Sequence, residues 1–357
     1  MSAPAPVSAP TSFLAPKFGD VYAELMSSAG LSQDTTRAVF DAIFAGAWAP
    51  SQIGGFLVAL RQRGETADIV AGAASAMRAA MLPVAHPFTQ LLDTCGTGGD
   101  GSGSLNLSTG AALVAAAAGV RVAKHGNRAA TSRSGSADVL ESLGVPLDVP
   151  AAAQSEVLRE AGIAFLFAMA HHPAMRHAMP TRRELGIRTL FNLLGPLSNP
   201  AGVTHQLLGA PDDASRRLLA EALVKLGVTR AWVVRSVDGL DEVSPFAETR
   251  VTEVDGGKLR EHVVSPESFG FVPSPAGAIA GGEPADNARA LTTILGGEKH
   301  PAADAVALNA AAALVVWGGM SEREAGAQAR EVLASGKPLQ TLSVWAAAAT
   351  RRRPAKV

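Results

Sequence analysis

The stretch from Leu91 to Thr131 limits the possible folds of this chain more than any other: LLDTCGTGGDGSGSLNLSTGAALVAAAAGVRVAKHGNRAAT. A short apolar run, Leu91-Leu92, leads into a loop from Gly96 to Ser104 that contains five glycines. Asn106-Leu107-Ser108-Thr109 then opens an Ala-rich segment, and a second apolar run ends in Lys124-His125-Gly126-Asn127-Arg128. The pattern reads strand, glycine loop, helix, strand. The loop therefore falls where the carboxyl end of a strand meets a helix N-terminus, a place whose free N–H groups and positive dipole end favour anions. Glycines let the backbone come close to phosphate oxygens and adopt positive φ. Ser108 and Thr109 suit an N-cap. The spacing fits neither G-x-x-x-x-G-K-[ST] nor G-x-G-x-x-G with its later acidic residue, so a different phosphate-binding family is required. A flexible Gly/Ser linker is the bland alternative, but a linker would not lie between apolar strand and helix patterns with Asp100 among its glycines.

The 357 residues allow one large α/β domain, or a large domain with a smaller companion. Hydrophobic content of 47% and charge of 18% suit a sizeable core. A net charge of −1 gives no global attraction to nucleic acid or an anionic membrane, so phosphate binding has to be local. No apolar run approaches the roughly 18 residues that cross a bilayer. Cys95 is the single cysteine, which excludes intrachain disulfides and fits a reducing cytoplasm. It reads as a small buried side chain, with a reactive thiol as the alternative. MSAPAPVSAPTSFLAP has no basic residue before Lys17 and no apolar h-region, so it reads as a disordered arm over 1–17 rather than a signal peptide.

From Phe18 to Met81 the periodicity is helical, in three or four segments, with Ser32 and the Glu65-Thr66-Ala67-Asp68 run as start signals. Helices are expected over 136–143, 152–161 and 181–186, and a buried strand over 162–169. Breakers at Gly195-Pro196 and Pro200 make 191–200 a shaped connection. Strands follow at 205–210 and 230–236, with a hairpin across Asp255-Gly256-Gly257. Helices over 213–226, 287–295, 302–317 and 321–335 complete the pattern, and Arg351-Arg352-Arg353 reads as a solvated basic tail over 351–357. The fold class is α/β: a small all-helical domain (18–86 with 171–200) beside a larger domain (87–170 with 201–350) whose central sheet is mainly parallel.

Three clusters fall at strand ends: the glycine loop, Lys124 to Arg128, and Asp241-Glu242. In open α/β sheets such ends converge on one crevice. A phosphate cradle, a basic segment and paired carboxylates imply a magnesium-dependent enzyme acting on a small molecule with two or three phosphates, since Mg²⁺ takes one or two carboxylates plus substrate phosphates. Taken singly, Asp241-Glu242 could be an acidic turn, Lys124 a surface cation and His125 a buried hydrogen-bonded histidine. His171, His172 and His177 lack zinc-site spacing.

Eight ordered motifs carry a resemblance: GTGGD (96–100), NLST (106–109), KHGNR (124–128), SGSAD (134–138), HHPAMRH (171–177), RRELGIRT (182–189), NLLGPLSNP (192–200) and DGLDE (238–242), with LNAAAAL (308–314) beyond them. In this the chain resembles the anthranilate phosphoribosyltransferases, tryptophan-pathway enzymes that join anthranilate to 5-phosphoribosyl-1-diphosphate (PRPP). The resemblance covers nearly everything after Phe18. It implies that Gly96, Gly99, Asp100, Ser104, Asn106, Leu107, Ser108 and Thr109 hold the diphosphate. Lys124, His125, Gly126, Asn127, Arg128, Ala129, Ala130, Thr131, Ser132 and Ser136 would enclose the rest of PRPP. Ser108, Asp241 and Glu242 would ligate magnesium, as two ions of which at least one arrives with PRPP. Gly96, His125, Asn127, Arg182 and Pro196 would line the anthranilate site, with Arg182 bonding its carboxylate. Lys124, Asn127 and Arg182 are the implied catalytic residues, and a homodimer through the helical domain is the implied assembly.

Two departures from the family pattern stand out. Met169 occupies a position where proline is common, and Ala170 one where bulkier residues are frequent; both bear on the acceptor entrance. Two other readings are a pyrimidine nucleoside phosphorylase and a non-catalytic binding homologue. The first usually carries a further C-terminal domain and lacks NLLGPLSNP, and the second would show an eroded Asp-Glu pair and a basic surface.

Overall fold

The computed structural model describes residues 15–98, 100–129 and 133–354. Gly99, Ala130, Thr131 and Ser132, named above as PRPP contacts, lie outside the described residues, as do 1–14 of the expected arm and 355–357 of the expected tail.

Four helices open the chain: α1 (Phe18–Met26), α2 (Gln33–Phe44), α3 (Pro50–Arg63) and α4 (Ala67–Ala80). Ser32 and Thr66 cap α2 and α4 by accepting the backbone N–H groups of Thr35 and Ile69. Strand β1 (Leu92–Gly96), α5 (Leu107–Ala117) and β2 (Val122–Gly126) form the expected βαβ unit. They are followed by α6 (Ser136–Ser142), α7 (Ala151–Ala161), β3 (Ile163–Phe167), the short α8 (Ala168–His171), a 3₁₀ turn (Pro173–His177), α9 (Met179–Leu185) and α10 (Phe191–Leu197). Next come β4 (His205–Gly209), α11 (Asp213–Lys225), β5 (Arg230–Ser236) and the hairpin β6 (Thr249–Asp255) with β7 (Lys258–Val264). The chain closes with α12 (Pro284–Leu295), α13 (Ala303–Gly318), α14 (Glu322–Ala334) and α15 (Lys337–Thr350).

The strands form one sheet in the order β3-β2-β1-β4-β5-β6-β7. The first five are parallel, and β6 and β7 are antiparallel. Chain direction across the sheet reverses between β1 and β4, which makes their carboxyl ends the switch-point crevice. Residues of α5, α12, α13 and α15 share one hydrophobic core with β1–β3. A second core joins α1–α4, α10 and α11 to Leu208 of β4 and Val233 of β5. The helical unit thus rests on one side of the sheet by way of α11.

Several expectations need correction. Helix α5 begins at Leu107 with Asn106 as its N-cap, so Ser108 and Thr109 lie inside the first turn. Asn106 makes no side-chain cap bond because Ser134 and Asn287 occupy its carboxamide. The Gly195-Pro196 pair does not prevent a helix: α10 runs through it as two turns, and Pro196, next to its end, gives up only the one N–H that would have reached the Asn192 carbonyl. Helix α15 is an addition to the expected pattern. Its Gly336-Lys337-Pro338 start resembles a break, but glycine before and proline within the first turn are also a helix-opening pattern. The arginines expected as a solvated tail are paired: Arg351 and Arg352 with Glu160, Arg352 also with Glu156, and Arg353 with Asp148.

Candidate active site

Two glycines at the switch point create the site. Gly96 and Gly209 are register partners at the ends of β1 and β4. A Cβ on Gly96 would stand 2.8 Å from Asp241 Oδ2, and one on Gly209 would collide with the Asp241 carbonyl. Only bare backbone there lets the β5–β6 connection reach the glycine loop. Asp241 Oδ2 then accepts the Gly98 N–H at 3.1 Å, and Glu242 Oε1 accepts the Ser108 N–H at 3.2 Å. Asp238 fixes that connection by accepting from the Ser236 and Ser244 hydroxyls, and Asn309 clasps Val243 with a bond to its N–H and another to its carbonyl.

Asp241, Glu242 and Asp100 crowd one wall of a cavity of about 160 Å³. Gly96, Ser104, Asn106, Leu107, Ser108, Arg133, Ser134, Gly282 and Asn287 form much of the remainder. Burial raises the Asp241 and Glu242 carboxyls well above the ordinary range. Negative neighbours raise them further, Asp100 acting on Asp241 and Asp241 on Glu242. Such a pair is short of positive charge. Among the described residues no three His, Cys, Asp or Glu side chains are arranged to hold a metal. Two carboxylates beside the Ser108 hydroxyl form an all-oxygen donor set that suits Mg²⁺, which fills its shell with water and substrate phosphate around one or two carboxylates.

Beneath the cavity lies Lys124, 2% exposed. Its Nζ donates to Thr94 O and to Ser108 Oγ, the latter at 3.2 Å. Asp93 is its buried counter-charge, raised by burial and drawn back by Lys124, and Asp93 also accepts from His125 N at 3.1 Å and Asn199 Nδ2 at 2.8 Å. Burial raises the neighbouring Cys95 thiol far above its usual range, with the Asp93 charge adding to the effect. A protonated thiol is a poor nucleophile, which argues against a reactive thiol, and the Cys95 side chain is half-buried.

The residues expected to hold the acceptor sit where α8–α10 meet β2. His125 Nδ1 lies 3.0 Å from the Gly195 carbonyl, so that nitrogen carries the proton, and its Nε2 faces His172 Nε2 at 3.3 Å. Burial and the other imidazole lower His125 to about 3, while burial and His171 lower His172 to about 4, so both rings are neutral at physiological pH. Pro196 adjoins Gly195, and its carbonyl accepts from Gln206 Nε2 at 2.7 Å. Arg182 lies 4.9 Å over the Phe191 ring, donates to Met179 Sδ, and has no carboxylate within ion-pair distance among the described residues. Burial lowers its pKa. Arg183 is exposed.

Not every expected residue reaches the cavity. Asn127 is exposed, with its Oδ1 accepting from Arg128 N, while Ser136 Oγ lies 3.3 Å from Asn127 O. Gly126 leaves room for that Ser136 hydroxyl. Arg128 turns to Asp138 and Glu141, and Ala129 N donates to Asp138 Oδ2 at 2.9 Å. Thr109 is buried with its hydroxyl unpartnered. Met169 and Ala170 line a second cavity of about 730 Å³ together with Arg128, Phe167 and Arg353. Sequence reasoning missed Asp93, Asn199, Asn287, and Arg188, which donates to the Gly98 carbonyl at 3.3 Å. A buried charge in the DTCG run was the available signal for Asp93, Arg188 and Asn199 lie inside the RRELGIRT and NLLGPLSNP motifs, and Asn287 carries no signal without the fold.

A helical bundle on an α/β domain, with a phosphate cradle and paired carboxylates at the switch point, defines a transferase class. Residues 20–81 match the helical bundle domain of the glycosyl transferase family and residues 88–339 its a/b domain, and the chain belongs to that family. It is 49% identical over 322 residues to the anthranilate phosphoribosyltransferase of Methylobacterium radiotolerans, covering 90% of this chain and 93% of that one. The crystal structure of anthranilate phosphoribosyltransferase from Thermus thermophilus superposes with a TM-score of 0.87 at 46% identity, over 93% of this chain and 99% of its own. The Saccharomyces cerevisiae enzyme in complex with PRPP and Mg gives 0.86 at 29% identity, over 94% and 98%. Within the family, the chain's place is among the anthranilate phosphoribosyltransferases.

Proposed function

We propose that this protein transfers the phosphoribosyl group of PRPP to the amine of anthranilate, giving N-(5-phosphoribosyl)anthranilate and diphosphate. The observation that carries the reading is the meeting of the glycine loop, the α5 N-terminus and the Asp241-Glu242 pair around one polar cavity. Asp241, Glu242 and Ser108 would hold magnesium, two ions with at least one entering on PRPP. Bound there, the metal supplies charge neutralisation for the diphosphate. The chain's own residues do the rest. Lys124 adds a buried positive charge behind Ser108, and the loop N–H groups favour the leaving diphosphate as negative charge builds on it. Arg182 bonds the anthranilate carboxylate, and His125 and Pro196 bring the amine to C1. The C1–oxygen bond breaks as the C1–nitrogen bond forms, and the amine proton leaves to solvent. Anthranilate's amine is already a nucleophile with a low pKa, so a direct displacement needs no strong base and no covalent enzyme intermediate.

Tyr22 at 46%, Met26 at 54% and Val58 at 45% exposure leave apolar surface on α1 and α3, which supports a homodimer through the helical unit. Among the described residues no helix is long and apolar enough to cross a membrane, and we place the protein in the cytoplasm. The decisive test follows anthranilate fluorescence with PRPP and Mg²⁺. Loss of signal is expected, abolished by EDTA and lowered by a factor on the order of 10² or more in Asp241→Asn. Unchanged fluorescence with folded protein and fresh PRPP would sink the acceptor assignment. A ribosylated enzyme formed from PRPP alone would overturn the direct displacement.

A further inference from the structure

The glycine loop is backed by a segment to which the proposed chemistry gives no part. Leu105 N donates to Ile279 O at 2.8 Å and Gly281 N to Gly103 O at 2.9 Å. A Cβ on Gly281 would stand 2.6 Å from the Ser104 carbonyl. This close approach brings the first turn of α12 to the cavity wall, and with it Asn287, 2% exposed.

The hydrogen bonds of Asn287 run in one direction only. The Gly282 N–H can only donate, so the atom it meets at 2.7 Å is Asn287 Oδ1. Asn287 Nδ2 is then the atom 3.0 Å from Asn106, and a donor there requires Asn106 Oδ1. That oxygen also accepts from Ser134 Oγ at 3.2 Å, while Asn106 Nδ2 donates to Ser134 O at 3.1 Å. One of the two Nδ2 protons on Asn106 has no partner in this chain of bonds, and Asn106, Ser134 and Asn287 all line the diphosphate cavity. Reversed, the carboxamide would offer phosphate oxygens a lone pair in place of a proton.

We propose that Asn287 is a positioning residue for the diphosphate of PRPP: together with the Ser134 carbonyl it holds the Asn106 carboxamide the way round that keeps a donor available to the anion. This rests on the reading of the cavity as the PRPP site. Two fixed groups set that polarity: the Ser134 carbonyl, which can only accept from Asn106 Nδ2, and the Gly282 N–H, whose direction Asn287 transmits across 181 residues of sequence separation.

Calorimetric titration of the full chain with PRPP and Mg²⁺ tests this on the wild type, Asn287→Ala, Asn106→Ala and the double variant. Losing one hydrogen bond of this kind should weaken PRPP binding in Asn287→Ala by about five- to tenfold. KM for PRPP should rise and KM for anthranilate should not. In the Asn106→Ala background the second substitution should add nothing. Wild-type PRPP affinity in Asn287→Ala overturns the proposal, as does an equal loss in the Asn106→Ala background or a parallel rise in both KM values. Should Asn287→Ala not fold, Asn287→Ser goes through the same cycle with the same expected signs. A wild type that does not bind PRPP with Mg²⁺ would instead sink the reading of the cavity itself.

Discussion

The two sides of the site are built by opposite means. On the side proposed for the phosphates, most backbone and side-chain polar groups are tied to one another, Gly98 to Asp241, Ser108 to Glu242, Lys124 to Thr94, Asn106 to Ser134 and Asn287, with the Thr109 hydroxyl left unpartnered. On the side proposed for the acceptor, Arg182 has no carboxylate partner among the described residues, and the buried hydroxyl of Ser198, two residues beyond Pro196, has no hydrogen-bond partner either. A wall whose groups already fix one another is preorganised for a particular anion. A wall with unspent polar capacity leaves part of its satisfaction to the ligand. Change on the phosphate side should therefore cost catalysis and folding together, and change on the acceptor side should cost recognition alone.

The largest effect belongs to Lys124. Lys124→Met removes a positive charge facing Ser108 and strands Asp93 and Glu242, so kcat should fall on the order of 10³-fold, with about 3 kcal/mol lost from unfolding stability. Adding Asp93→Asn removes the stranded carboxylate. The double variant should regain most of the stability and none of the activity, as read by urea unfolding beside steady-state kinetics. Recovery of activity would show that Lys124 only supports Asp93.

Arg182 tests the opposite side. Bonds to a charged group are worth about 1.5–3 kcal/mol, so Arg182→Ala should raise KM for anthranilate roughly 10- to 100-fold while leaving KM for PRPP within a factor of two or so. A parallel loss of PRPP affinity would mean that the two sides are not separable.

The same contrast explains what the sequence disclosed. The phosphate side is written locally: GTGGD, NLST and KHGNR each place backbone or charge at the end of a strand, and the βαβ pattern shows where they meet. Asp241-Glu242 is legible as a pair, but what brings it to the loop is the register of Gly96 with Gly209, which appears only once β1 pairs with β4. Asn287 and Asn199 act through partners far away in sequence, and a single asparagine within helical or proline-rich surroundings carries no sign of that. Ser108 and Thr109 fail as caps because α5 starts ahead of them at Leu107, with Asn106 at the N-cap position and its side chain committed to Ser134 and Asn287. On the acceptor side HHPAMRH is visible, yet nothing local shows that His172 faces His125 instead of solvent.

The smallest effect sharpens the comparison at that imidazole pair. Burial favours the neutral rings, with folded pKa values of about 3 for His125 and about 4 for His172 against an ordinary 6.5. Lys124 and His171 are the other charged or titratable groups acting on the pair, and both oppose its protonation. Below pH 6.5 the unfolded chain takes up protons that the folded chain refuses, so stability present above 6.5 is lost as pH falls towards 4. In His172→Gln the amide nitrogen can still donate to His125 Nε2, but one refused proton is gone. The fall in unfolding free energy between pH 6.5 and 5.5 should shrink by about 1 kcal/mol relative to the wild type. PRPP affinity at pH 7.5 should not move, because the place proposed for the pair is the acceptor wall. An unchanged acid slope would mean that His172 titrates normally and is therefore open to water, and the acceptor wall would then be less enclosed than the His125–His172 contact implies.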